Sequence, residues 1–236
     1  MFLSGFPRLS ELRDTLRTPI PPDAFFYDCD RTLAESPQKR KQFWDIESDL
    51  QSLDPEAWAF LKKELTPLLK AKHPTRGWQQ LFDKLNQARA YRHLVAQGCA
   101  GIRFIPESKK VSRQTPDLEG TLEGQTILCE VKTINVSDDE ADRFHRHGVL
   151  QVTDQLSDKF FAKFASILRT ADAQINAFCQ AADVRKIAYV IVNFDDHLHE
   201  YVDRYCGQIE ERLSRIKPYD LEVELDIKPA FYTAIS

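Results

Sequence analysis

The hydrophobic pattern from Gly77 onward predicts a helix followed by strands. WQQLFDKLNQARAYRHLVAQG carries apolar side chains at helical spacing and ends at Gly98, the residue type that most often closes a helix. GIRFIP then alternates as strands do, and the β-prone run TILC at residues 126–129 predicts a second strand. GTLEGQ, just before that run, predicts a hairpin-like link into it.

The pattern after residue 150 predicts the rest of a layered core. Residues 151–182 keep a helical period, and KIAYVIVNF is an apolar, β-branched run typical of a buried strand. Residues 195–216 predict a further helix, and LEVELDIK and AFYTAI predict closing strands. Because helices and strands alternate, we expect an α/β fold in which helices flank a mixed sheet.

The first 75 residues predict a helical N-terminal extension. Ser10 is a candidate cap for a helix over ELRDTLR, and Asp54-Pro55-Glu56 opens a second helix with a capping acid and a proline at its first position. The segment KHPTRG around His73 favours a boundary there. The predicted domains are therefore a helical extension at 1–75 and a core domain at 76–236.

Composition narrows the class of protein. A chain of 236 residues that is 42% hydrophobic can bury one good core, and no segment approaches the roughly 20 apolar residues that span a bilayer. Five cysteines are widely spaced without a CxxC pair, which favours reduced thiols over disulfides or structural zinc. We therefore expect a cytoplasmic protein with no membrane partner, and a homo-oligomer is compatible with the sequence.

The charge is uneven along the chain. Residues 60–113 hold 12 Lys and Arg against 3 Asp and Glu, whereas the rest of the chain holds 20 against 33. Clustered cations are what a phosphate-binding surface requires, although a solvated helix face gives the same pattern. The predicted phosphate track consists of Lys70, Lys72, Arg76, Lys84, Arg89 and Arg92.

Two acids and a lysine in the central segment have the chemistry of a phosphodiesterase. Pro116 precedes Asp117, and Glu130 and Lys132 follow the apolar run at 126–129. Hydrolysis of a phosphodiester needs an activated water and a neutralised leaving oxygen, which Mg²⁺ or Mn²⁺ held by one or two carboxylates can provide. Side chains alternate along a strand, so Glu130 and Lys132 share a face and the ammonium lies beside the predicted metal site.

These residues resemble the PD-(D/E)xK nuclease superfamily, which has the restriction-endonuclease-like fold. The resemblance covers roughly residues 77–194, including the order of helices and strands around the motif. It implies that Asp117 and Glu130 hold Mg²⁺ and that Lys132 helps to activate water. Many members add a glutamate from the first core helix; the matching position here is Gln87, which is a departure. Gln174 matches a polar position that some members carry on the second core helix.

The sequence thus predicts a metal-dependent nuclease, and we favour DNA over RNA as its substrate. An alternative is a nucleic-acid-binding protein of the same fold with weak or no catalysis, because a glutamine at position 87 binds Mg²⁺ less well than a carboxylate. A less favoured alternative is a haloacid-dehalogenase-like phosphatase, since Asp28-Cys29-Asp30-Arg31-Thr32 resembles that family's DxDxT motif. The paired histidines His145/His147 and His197/His199 lack a third ligand at persuasive spacing.

Overall fold

The computed structural model describes residues 5–73, 77–107, 115–134, 155–179, 183–194, 202–215 and 220–229. The chain divides into two compact units, Met1–Ile105 with Leu118–Gly124, and Pro106–Asp117 with Gln125–Ser236. The fold is α/β, with strands β1 to β5 in one mixed sheet in chain order. Within the described residues, no helix combines the length and the apolar character needed to cross a membrane.

The first unit holds five of the described helices and two of the strands. Their bounds are α1 Pro7–Arg13, α2 Cys29–Glu35, α3 Pro37–Gln51, α4 Pro55–Leu68, α5 Gln79–Ala96, β1 Ala100–Phe104 and β2 Leu118–Leu122. Helices α3 and α4 both pack against α5. Fully buried leucines fill the space between the helices, namely Leu9, Leu12, Leu50, Leu61 and Leu65. The predicted domain division between residues 75 and 76 stays a prediction.

Local signals set several helix ends in this unit. Asp54 Oδ1 accepts a hydrogen bond from the Ala57 N–H at 2.8 Å, and Pro55 is the first residue of α4, which confirms the predicted cap. Helix α5 ends where Gly98 takes a φ of +85°. The Gly98 and Cys99 N–H groups donate to Val95 and Leu94, each at 3.0 Å, so the last carbonyls of α5 are satisfied.

The predicted cap at Ser10 is wrong. Helix α1 begins at Pro7, and Ser10 lies inside it. The first N–H groups of α1 are satisfied by a distant residue instead: the carboxylate of Glu47, on α3, accepts from Arg8 N–H at 3.0 Å and Leu9 N–H at 2.9 Å. A partner 38 residues away leaves no local signal in the sequence.

Replacing Glu47 with alanine is therefore expected to destabilise the chain. Glu47 is fully buried, and its loss would leave two helix N–H groups without an acceptor, which costs about 2–3 kcal/mol of unfolding free energy. Urea unfolding followed by circular dichroism measures the change. Asp45→Ala, at an exposed position of the same helix, is the control and should change stability by less than about 0.5 kcal/mol. Equal stability of the two variants would contradict this assignment of the cap.

The second unit contains a three-stranded parallel part of the sheet and two helices. Their bounds are β3 Gln125–Ile134, α6 Asp158–Phe178, β4 Val184–Phe194, α7 Val202–Arg215 and β5 Glu222–Pro229. Strand β3 pairs in parallel with β4, and β4 with β5. A parallel pair needs a crossover, and α6 lies between β3 and β4 in the chain. The predicted helix at 151–182 and strand at 186–194 are thus confirmed within the described residues.

One buried apolar cluster joins these helices to the sheet. It contains Ile134, Phe164, Leu168, Ala171, Ala188, Val190, Val192, Tyr205 and Ile209. The alanine and two valines of β4 are alternate residues, so they mark the face of the sheet that α6 and α7 cover. Because β3 pairs with β4, alternate residues of β3 lie on this same covered face.

The hairpin-like link predicted at GTLEGQ is shorter than expected. Residues 118–122 form strand β2, and the turn is confined to Glu123 and Gly124, whose φ values are +52° and +84°. Two consecutive positive φ angles are what a two-residue hairpin of type I′ needs, and glycine adopts them without strain. The shorter turn leaves Asp117 directly before a strand.

Candidate active site

Asp117 is held against β3 by its backbone and its side chain. Its N–H donates to the Cys129 carbonyl at 3.1 Å. Its Oδ2 accepts from the Val131 N–H at 2.8 Å, so a side-chain oxygen takes the position of a backbone acceptor next to β3. Both bonds flank Glu130 in the sequence. The strand therefore fixes the Asp117 carboxylate beside Glu130.

Glu130 is a buried acid on the helix-covered face of the sheet. It lies opposite Ala188 in the parallel register, and Lys132 lies opposite Val190. Both partners belong to the apolar cluster under α6 and α7. Glu130 is only 3% exposed. Acids are seldom buried so fully unless they are paired, which points to a specific role.

Lys132 joins the strand to helix α6. Its Nζ lies 2.6 Å from Glu130 Oε1 and 2.6 Å from Gln174 Oε1. The predicted common face of Glu130 and Lys132 is therefore confirmed. Gln174, predicted as a supporting residue, is brought to the same site through its contact with the lysine. The side chain of Lys132 remains about one-fifth exposed, at 21%.

The environment of Glu130 disfavours its charge. Burial raises its pKa from 4.5 to about 8, and the nearby Asp117 carboxylate adds to the increase. Lys132 and a hydrogen bond with Gln174 act on the pKa in the opposite direction. Its Oε2 atom is buried and has no hydrogen-bond partner within the described part of the chain. A bound cation would relieve both conditions, because it would neutralise the acid and give Oε2 a ligand.

The donor set fits a hard divalent cation. Asp117 and Glu130 supply carboxylate oxygens, and Mg²⁺ ordinarily takes one or two carboxylates while it keeps several waters. Among the described residues, no group of three or more His, Cys, Asp and Glu side chains could hold a metal ion. Two carboxylates suit Mg²⁺ or Mn²⁺ with a largely hydrated coordination sphere.

Gln87 lies buried on α5 in the first unit, next to the buried Asn86. Its predicted supporting role stays a prediction, as does that of the basic residues of α5 and the preceding segment. Three of the residues or pairs considered above lie outside the described residues, namely Arg76, His145/His147 and His197/His199.

The predicted phosphate track is partly neutralised within the first unit. Asp49 lies 3.8 Å from Arg89 and 2.9 Å from Arg92, and its own side chain is nearly buried. Arg92 also donates to Ser48 Oγ at 3.1 Å. Lys70 and Lys72 are exposed, and Lys84 is half-buried. The two exposed lysines are accordingly the stronger candidates for contact with phosphate.

The DxDxT-like segment does not have the local structure that a phosphatase motif requires. Residues 24–28 form turns rather than a strand, and α2 begins at Cys29. Asp28 pairs with Arg31 at 2.9 Å, and Asp30 pairs with Arg13 at 2.8 Å. The two acids are thus used in ion pairs at the start of a short helix.

Sequence reasoning did not single out Lys186. This residue lies opposite Leu128, on the same face of the sheet as Glu130, and its side chain is only 11% exposed. Its Nζ lies 3.2 Å from the exposed Asp220. The signal was present in the alternation of KIAYVIV, which places Lys186 in line with Ala188 and Val190.

No protein-family model, curated protein or solved structure matches the chain, so its assignment depends on the site itself.

Proposed function

We propose that this protein is a metal-dependent nuclease that hydrolyses phosphodiester bonds of nucleic acid. The observation that carries the proposal is the buried Glu130, beside a fixed Asp117. One Glu130 oxygen lies on Lys132, and the other has no hydrogen-bond partner among the residues that the structure describes. Strongly perturbed pKa values cluster at functional sites, so this buried acid favours a functional role. A purely structural role leaves the cost of this buried acid unexplained.

The order of elements supports the finer fold assignment. A helix, three strands, a crossover helix and a parallel fourth strand follow one another from α5 to β4. This is the order expected of a restriction-endonuclease-like core, with the acid and the lysine on its third strand. We therefore assign the chain to that fold as part of the proposal.

Asp117 and Glu130 would hold Mg²⁺, which, when bound, supplies a water of lowered pKa and neutralises charge on the phosphate. Lys132 can donate hydrogen bonds to the attacking water or to a phosphate oxygen, since its ammonium has three donors. Gln174 Oε1 accepts a hydrogen bond from this ammonium, which restricts where the ammonium points. Asp117, fixed by the Val131 N–H, cannot turn away from the strand.

Cleavage of a panel of substrates tests the proposal. Purified protein is incubated with single- and double-stranded DNA and RNA in Mg²⁺ or Mn²⁺, and then in EDTA. We expect cleavage that needs the metal, with DNA cut in preference to RNA. Asp28→Asn should cleave at the wild-type rate, because Asp28 belongs to the ion pair with Arg31 and not to the site. Loss of cleavage in Asp28→Asn would favour the phosphatase-like motif instead.

Binding of nucleic acid is expected to depend steeply on salt. Lys70 and Lys72 are exposed in the most basic part of the chain, and each phosphate contact that is lost reduces the slope of log K against log[salt] by about 1. Lys70→Ala combined with Lys72→Ala should therefore lower both affinity and slope in a fluorescence-anisotropy titration. Lys41→Ala, at an exposed position of α3, is the control. An unchanged slope in the double variant would remove these lysines from the proposed surface.

A second candidate is a nucleic-acid-binding protein that has lost catalysis. The residue that favours it is Gln87, a buried amide on α5 at the position where the resembled family often carries a glutamate. Calorimetric titration with Mn²⁺ separates the two candidates. The nuclease should bind the ion, and Glu130→Gln should abolish binding, whereas the inactive protein should bind nucleic acid without binding the ion.

A further inference from the structure

The ammonium of Lys132 already neutralises part of the candidate metal site. Its Nζ lies 2.6 Å from Glu130 Oε1, while Glu130 Oε2 is buried and accepts no hydrogen bond from any described residue. Any divalent cation that binds Glu130 must therefore share one carboxylate with a lysine. Two cations a few ångströms apart repel each other strongly in a buried site.

Gln174 gives Lys132 a second acceptor that is not an acid. Its Oε1 lies 2.6 Å from Nζ. Its neighbours on α6, Ala171 and Ile175, are fully buried in the unit, so the helix position is well fixed. A neutral amide oxygen can hold the ammonium without offering a charged ligand to the metal.

We propose that Lys132 and the divalent metal compete for Glu130. In this proposal Gln174 is the positioning residue that keeps the Lys132 ammonium at the site when the metal binds the Glu130 carboxylate. The proposal rests on the proposed function and extends it, since it makes metal affinity a property of three side chains. Without Gln174, Glu130 is the remaining acceptor of Lys132 among the described contacts, and the metal must displace the lysine outright.

Calorimetric titration of Mn²⁺ into four proteins tests this coupling. The proteins are wild type, Lys132→Met, Gln174→Leu and the double variant. Lys132→Met should bind Mn²⁺ about tenfold more tightly, because the competing charge is gone. Gln174→Leu should bind it about threefold more weakly. The proposal has Gln174 act through the lysine rather than through its own hydrogen bond to Glu130, so the double variant should match Lys132→Met.

The control lies one turn earlier on the same helix. Thr170 is exposed and donates its hydroxyl to the Ser166 carbonyl at 2.9 Å, so Thr170→Ala should bind Mn²⁺ as wild type does. Circular dichroism confirms that each variant is folded. If Lys132→Met does not fold, Lys132→Gln replaces it, because it removes the charge and keeps a donor.

The outcomes separate this inference from the nuclease proposal. Mn²⁺ binding that is unchanged or weakened in Lys132→Met overturns the competition. An equal effect of Gln174→Leu with and without Lys132 shows that the glutamine acts without the lysine, through the fold or through Glu130 itself, and overturns its positioning role. Folded wild-type protein that binds no Mn²⁺ overturns the nuclease proposal and this inference together.

Discussion

Replacing Lys132 with methionine is expected to reduce phosphodiester cleavage by about 10²–10⁴-fold at saturating metal and substrate. Methionine keeps an apolar stem of similar length but removes all three donors of the ammonium. In the structure that ammonium lies within 2.6 Å of Glu130 Oε1, so it is close to any water or phosphate oxygen held at the same site. The loss should appear in kcat, because the donors act on the reacting atoms.

Single-turnover cleavage with a labelled DNA duplex measures this effect, because it isolates the chemical step from product release. Lys41→Met, at an exposed position of α3, is the matched control and should keep the wild-type rate. Metal affinity is expected to rise in Lys132→Met, so weak metal binding cannot account for its loss of activity. Cleavage at the wild-type rate in folded Lys132→Met would remove the lysine from the reaction.

Replacing Glu130 with glutamine is expected to stabilise the metal-free protein. Burial raises the pKa of Glu130 from 4.5 to about 8, so the folded chain holds its proton more tightly than the unfolded chain does. The stability contributed by that proton is complete below pH 4.5 and is lost as the pH rises through about 8. Glutamine has no such dependence and still offers Oε1 as an acceptor for Lys132.

Thermal unfolding in EDTA measures this second effect. At pH 8 we expect Glu130→Gln to exceed wild type by on the order of 2 kcal/mol, which is about 4–8 °C for a chain of this size. The difference should shrink toward pH 5. Glu35→Gln, at an exposed position of α2, serves as the control and should leave the melting temperature within about 2 °C of wild type. A lower melting temperature for Glu130→Gln at pH 8 would mean that the carboxylate stabilises the fold through its pair with Lys132.

Substitution of a site residue is expected to raise the stability of the protein and to lower its activity. Acids that are held in costly environments are retained where a ligand or a reaction uses them, and their removal commonly stabilises the scaffold. Glu47 is the internal contrast, because it is also buried but satisfies two backbone N–H groups. Substitution at Glu47 should destabilise the protein, whereas substitution at Glu130 should stabilise it.

The sequence predicted those features that depend on near neighbours. The cap at Asp54 follows from an acid before a proline, and the common face of Glu130 and Lys132 follows from the alternation of a strand. Strand β4 was predicted for a similar reason, since its apolar run is continuous. Each of these features is determined within a few residues.

The features that the sequence did not predict depend on distant contacts. Glu47 replaces Ser10 as the partner of α1 through a contact between residues 38 positions apart. The burial of Glu130 depends on how α6 and α7 pack over β4, and Asp49 binds Arg89 and Arg92 from another helix. Such pairings are set by the packed fold, so a pattern within one segment does not contain them.

The most direct test of the central claim is cleavage of double-stranded DNA by purified wild-type protein in Mn²⁺, compared with Lys132→Met and with the wild type in EDTA. The nuclease account predicts cleavage by the wild type in metal and none above background in the other two reactions. Folded wild-type protein that binds DNA and Mn²⁺ yet leaves single- and double-stranded DNA and RNA intact would contradict it.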